Sequence, residues 1–227
     1  MDTSQLRPSG TPDPHRGQPV LTEGPGDAGA AVVLLHGRGA SAEGMLELGR
    51  ELRVEGVRLI APQAAGNTWY PQSFLAPLVN NQPYLDSALG LVESVVAGVI
   101  DGGVPASRVA LLGFSQGACL TLEFVARHPR RYGAVMGLTG GLIGPQGTPR
   151  GYPGSLDGTP VFLGSSDPDP HVPFARVRET EAVLAGMGAV VELRRYPGMA
   201  HTVNEDELDA CRHLLRQMVA AGGGGGT

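Results

Sequence analysis

"VALLGFSQGACLTL", Val109 to Leu122, sets a serine between two glycines where an apolar run gives way to helical spacing. Glycine and serine are ordinary turn residues, so a plain turn is one reading. The other is a nucleophile held on a strained strand-to-helix bend, the pattern G-x-S-x-G. Such a bend drives the serine backbone toward positive φ, and side chains at Gly113 and Gly117 would collide across it. It also sets Ser115 over the start of the next helix, whose first amides favour negative charge. The chain on either side of the stretch decides between the two.

Upstream, "AAVVLLHG" (30–37) is a continuous apolar run, as a strand buried on both faces requires. "SAEGMLELGRELRVEG" follows with helical spacing, and Ser41 suits its N-cap. "VRLIAP" (57–62) is a second strand, and the stretch from Gln82 to Gly103 reads as a long helix. "SRVALLGF" (107–114) is the next strand and "SQGACLTLEFVARHP" the helix it feeds. Downstream come strands in 132–141, 159–166 and 189–197, a helix over about 173–186, and a last helix from near Asn204. Alternation of this kind predicts an α/β fold with a mainly parallel central sheet and helices on both faces.

One segment breaks the rhythm. "QAAGNTWYPQSFLAPLVNNQ" (63–82) is a long connection of the sort that is functional or disordered. Trp69, Tyr70, Phe74 and Leu75 make it too apolar for disorder, so an ordered flap is expected. Those four side chains suit a substrate pocket, since ligand sites are mostly apolar with few polar groups.

With 227 residues the expected organisation is one domain over 19–221. Residues 1–18, rich in Pro, Gly and Ser, are read as a flexible arm, and the glycine run at 222–227 as a flexible tail. A net charge of −5 with scattered basic residues argues against nucleic acid. Two cysteines, Cys119 and Cys211, make no disulfide framework and fall in helical stretches as core residues. No signal-like apolar segment opens the chain and no run is long enough to span a membrane, which points to a cytoplasmic protein.

A serine hydroxyl needs a base to take its proton and a carboxylate to hold that base. In α/β-hydrolases these follow the nucleophile in the order acid, then histidine, each on a loop after a strand. "SSDPDPHVP" supplies Asp167 and Asp169, and "GMAHTVNED" supplies His201. The amides of Gln116 and, in "LLHGRGAS", of Arg38 are candidate oxyanion donors. "GRGASA" also fits a dinucleotide-binding turn, but Gly56 to Leu85 contains no carboxylate for a ribose. No H-E-x-x-H or His/Cys cluster suggests a metal, so no cofactor is expected.

"LLHGRG", "GFSQGACLTL", "DPHVP" and "GMAH" together resemble the phospholipase/carboxylesterase family of α/β-hydrolases, which includes the acyl-protein thioesterases. The resemblance covers roughly residues 28 to 220. It implies the α/β-hydrolase fold and hydrolysis of a small-molecule carboxylic ester or thioester by a Ser-His-Asp triad. In that family the acid stands before P-x-V-P, which selects Asp169, with Asp167 as the fallback. Monomer or homodimer is left open.

Overall fold

A computed structural model describes residues 12–221, so the glycine run and residues 1–11 of the expected arm lie outside the described residues. In chain order the elements are β1 (Val20–Glu23), β2 (Ala30–Leu35), α1 (Ala42–Glu51), β3 (Val57–Pro62) and α2 (Tyr84–Asp101). Then come β4 (Val109–Phe114), α3 (Gln116–Arg127), β5 (Ala134–Leu138), β6 (Pro160–Asp167), α4 (Phe174–Gly186), β7 (Val190–Pro197) and α5 (Glu205–Ala220). One seven-stranded sheet runs β1-β3-β2-β4-β5-β6-β7, parallel throughout except that β1 pairs antiparallel with β3.

The apolar runs are explained by burial on both faces. Val33 and Leu35 of β2, with Val109 and Leu111 of β4, face a core shared with α2, α3 and α4. Val32 and Leu34, with Ala110 and Leu112, face a second core built on Met45 and Leu46 of α1 and Cys211 and Leu215 of α5. Successive side chains of a strand point to opposite faces, so a strand covered on both sides has no polar alternation. Both cysteines are buried thiols, as expected. No helix among the described residues is long and apolar enough to cross a membrane.

Two elements differ from the sequence reading. β1 was not anticipated: its four residues alternate between half-buried and exposed, and it hydrogen bonds on one side only. Short edge strands carry little hydrophobic signal. Residues 12–18 of the expected flexible arm are instead docked through His15, which is buried. The His15 amide donates to Ser87 Oγ (2.9 Å), and the Ala65 amide donates to its Nδ1 (3.0 Å). The ring proton therefore sits on Nε2, which donates to Trp69 O at 3.0 Å.

All strand C-termini in the parallel part point to one edge of the sheet, and the loops that follow β2, β4, β6 and β7 converge there. In open α/β sheets that edge is where ligands bind.

Candidate active site

Ser115 follows the last residue of β4 and has φ 54°, ψ −117°, a conformation that costs on the order of 1–3 kcal/mol for a side-chain-bearing residue. The bend is held from both sides: the Ser115 amide donates to Leu138 O (2.9 Å), and the Cys119 amide donates to Ser115 O (3.0 Å). A Cβ on Gly113 would strike the Gly117 carbonyl, and one on Gly117 would strike Leu35 O. The two glycines are therefore demanded by space, as the sequence pattern implies.

His201 lies in the loop between β7 and α5. Its Nε2 is 2.8 Å from Ser115 Oγ, and its Nδ1 is 2.7 Å from Asp169 Oδ2. Asp169, on the loop after β6, has a fully buried carboxylate. Its Oδ2 also accepts from Ser166 Oγ (2.7 Å), while Oδ1 accepts the amides of His171 and Val172, both at 2.8 Å. Burial alone would raise its pKa. The hydrogen bonds from Ser166, His201 and the two amides outweigh burial and bring it down to about 2. The Asp167 carboxylate is instead paired with Arg195 Nε at 2.6 Å. The ring of His171 lies edge-on to that of His201, with centroids 4.9 Å apart.

Chemically, this run of contacts gives a hydroxyl with a proton acceptor in reach and a carboxylate that fixes the acceptor's tautomer. Cys119 also lines the cavity, but burial pushes its thiol up to about 12, so no thiolate competes with the hydroxyl.

Arg38 and Gln116 grip the same stretch of flap with their side chains. The exposed Arg38 guanidinium donates to Thr68 Oγ1 (3.0 Å) and to the carbonyls of Tyr70 (2.8 Å), Pro71 (3.0 Å) and Gln72 (2.8 Å). Gln116 Oε1 accepts the Trp69 amide (2.9 Å), and its Nε2 donates to Tyr70 O (2.8 Å). The two residues whose amides are candidate oxyanion donors thus meet on one flap carbonyl. Among the described residues, neither amide donates to a protein acceptor.

The flap is ordered, but only part of it reaches the cavity. Tyr70 and Phe74 line a cavity of about 460 Å³ with Ser115, Gln116 and His201; Trp69 and Leu75 do not. Trp69 corrects the expectation of a substrate contact. It is fully buried, donates from Nε1 to His36 O (2.8 Å), and lies against the rings of His15 and His36. Its indole is large and apolar with one donor, which suits a core anchor as well as a pocket wall. Leu75 packs, half-buried, against the core. His36 was missed as a partner of the flap: its Nε2 accepts the Ala64 amide at 3.1 Å. Ser166 was missed too, although its place three residues before the acid is the signal that would have found it.

The loop carrying His201 is set by the start of α5. Asn204 and Glu207 form a reciprocal capping box, Glu207 N donating to Asn204 Oδ1 (2.9 Å) and Asn204 N to Glu207 Oε2 (3.0 Å). Glu207 is fully buried, and its other oxygen has no partner among the described residues. Burial raises its pKa to about 7, above the usual carboxylate range. The folded state therefore binds this proton more tightly than the unfolded chain does. The associated stability is fully present below the unfolded value and is lost as pH rises through about 7. Melting temperature should fall between pH 5 and pH 8, and Glu207→Gln, which keeps the cap, should flatten that fall. The loss in wild type amounts to about 3 kcal/mol. Parallel melting curves of the two proteins, equal at every pH, would contradict it.

Comparison with known proteins follows the same lines. The family model described as phospholipase/carboxylesterase matches residues 17–219. A crystal structure of a phospholipase/carboxylesterase from Dyadobacter fermentans superposes with TM-score 0.85 at 45% identity, covering 88% of this chain and 96% of that one. An acyl-protein thioesterase 1 from Yarrowia lipolytica is 24% identical over 209 residues, 84% of this chain and 92% of its own. A probable carboxylesterase, SOBER1-like, from Arabidopsis thaliana is 26% identical over 204 residues, 82% of this chain and 78% of its own.

Proposed function

Because the chain belongs to the phospholipase/carboxylesterase family of α/β-hydrolases, we propose that it is a serine carboxylesterase acting on short-chain esters through a Ser-His-Asp triad. The observation that carries the reading is the unbroken run from Ser115 Oγ through His201 to Asp169, with steps of 2.8 and 2.7 Å. Ser115 Oγ attacks the acyl carbonyl while His201 Nε2 takes its proton. Asp169 holds the imidazole with Nε2 free to accept and stabilises the imidazolium that results. The amides of Arg38 and Gln116 receive the oxyanion, a term worth on the order of 10²–10³ in rate per donor. His201 returns the proton to the departing alcohol, leaving an acyl-enzyme. Water, deprotonated by His201, then releases the acid.

Tyr70, Phe74 and Cys119 bound the cavity beside Ser115, which favours a compact acyl group. A thioesterase or lysophospholipase with the same triad is the second reading, favoured by the relatives named acyl-protein thioesterases. Hydrolysis of p-nitrophenyl esters from C2 to C12, beside matched acyl thioesters, tests the choice. The short-chain reading expects the highest kcat/KM at C2–C4. A maximum at C8 or longer, or faster thioester turnover, would install the second reading in its place.

A further inference from the structure

A second cavity, of about 310 Å³, abuts the first on the other side of the sheet edge. The two share Gly37, Ala40, Phe114 and His201 as a common wall. The first lies on the side of α2, α3 and α4 and contains Ser115. The second lies against α1, where Gly44, Met45, Leu48 and Val203 line it, and it does not include Ser115. Two hollows thus diverge from one histidine.

We propose that the α1 cavity is the leaving-alcohol subsite and that it takes apolar alcohols of several carbons. This rests on the serine-esterase reading above. In the acylation step the Ser115 Oγ–C bond forms and the ester C–O bond breaks. The proton leaves Oγ, passes through His201 Nε2 and ends on the alkoxide oxygen, so the alcohol departs neutral. The acyl group stays bonded to Ser115 and belongs in the cavity that contains Ser115. The departing oxygen has to lie beside His201, so its substituent belongs in the cavity lined by His201 and not by Ser115.

The lining selects the chemistry. Apart from His201, no ionisable side chain borders the α1 cavity, and Ser41 Oγ is already engaged by the Gly44 amide at 3.3 Å. A choline or phosphate-bearing alcohol would lose hydration there and, His201 apart, meet no side chain of opposite charge, only the Ser41 and Thr202 hydroxyls and the Phe114 ring. Each buried methylene, by contrast, is worth about 0.8 kcal/mol, or roughly fourfold in kcat/KM.

The experiment varies the alcohol at constant acid: methyl through hexyl butyrate with butyrylcholine, on wild type, Gly44→Leu and Leu48→Ala. A Cβ at Gly44 meets only Ser41 Oγ at 3.9 Å, so a side chain can start there without a clash on a residue that lines the cavity. Wild type should gain with each methylene and disfavour the choline ester. The hexyl-to-methyl ratio of kcat/KM should fall about tenfold or more in Gly44→Leu, while Leu48→Ala moves the optimum to longer alcohols. All butyrates share one butyryl-enzyme, so its partition between water and added hexanol should shift toward water in Gly44→Leu. The proposal is overturned if Gly44→Leu alters an acyl-length series of methyl esters but not the alcohol series. A uniform change across all esters also overturns it. An active Ser115→Ala protein would instead bring down the serine-esterase reading itself.

Discussion

Asp169→Asn is expected to lower kcat on a p-nitrophenyl ester by on the order of 10⁴-fold, while Asp167→Asn stays within about fivefold of wild type. The reason lies in which atoms face which. Oδ1 of Asp169 accepts two backbone amides, and Oδ2 accepts Ser166 Oγ and faces His201 Nδ1. An asparagine there must keep its oxygen toward the amides, because turning it would set NH₂ against two N–H donors. Its NH₂ then donates to His201 Nδ1, which moves the ring proton to Nε2. A protonated Nε2 cannot accept from Ser115. Asp167, by contrast, is bound to Arg195 at the partly exposed end of β6. Steady-state kcat for the two variants decides which aspartate serves His201. Equal losses, or a greater loss at Asp167, would reverse the assignment.

Ser115→Ala is expected to cost on the order of 10⁴–10⁶ in kcat, with the residue left over supplied by binding and the oxyanion donors. Stability should hardly move. Among the described residues the Ser115 side chain hydrogen bonds only to His201, and alanine keeps the Cβ that already tolerates φ 54°. The Cys119 thiol does not stand in for the lost hydroxyl, since burial keeps it neutral by pushing its pKa up to about 12. Activity measured beside a thermal melt separates loss of chemistry from loss of fold. A variant that melts as wild type does and still hydrolyses esters at a comparable rate would remove Ser115 from the reaction.

Most of the fold was legible because buried parallel strands leave a strong mark. "AAVVLLHG" and "VALLGF" announce themselves as unbroken apolar runs, and both lie in the sheet centre. β1 left no such mark, being short, half exposed and paired on one side. The elbow and the histidine loop could be read from order along the chain, because each follows a strand. Order leaves Asp167 and Asp169 equal, and only the family resemblance, the acid standing before P-x-V-P, preferred Asp169. What order does not give is direction. Nothing in "NTWYPQSF" says that Trp69 turns into the core while Tyr70 and Phe74 turn toward the cavity. Nor does a histidine in a Pro- and Gly-rich opening stretch signal burial. His15 is buried because a flap amide and a flap carbonyl fifty or more positions away meet its ring. The Arg38 and Gln116 contacts are of the same long-range kind.

The measurement closest to the central claim is covalent capture by a fluorophosphonate, read by intact mass and peptide mapping. A serine activated by His201 and Asp169 should take up one equivalent, on the peptide holding Ser115. Ser115→Ala should take up none, and Asp169→Asn should react far more slowly. An unchanged mass in a preparation that still turns over esters, or an adduct on a different residue, would contradict the account.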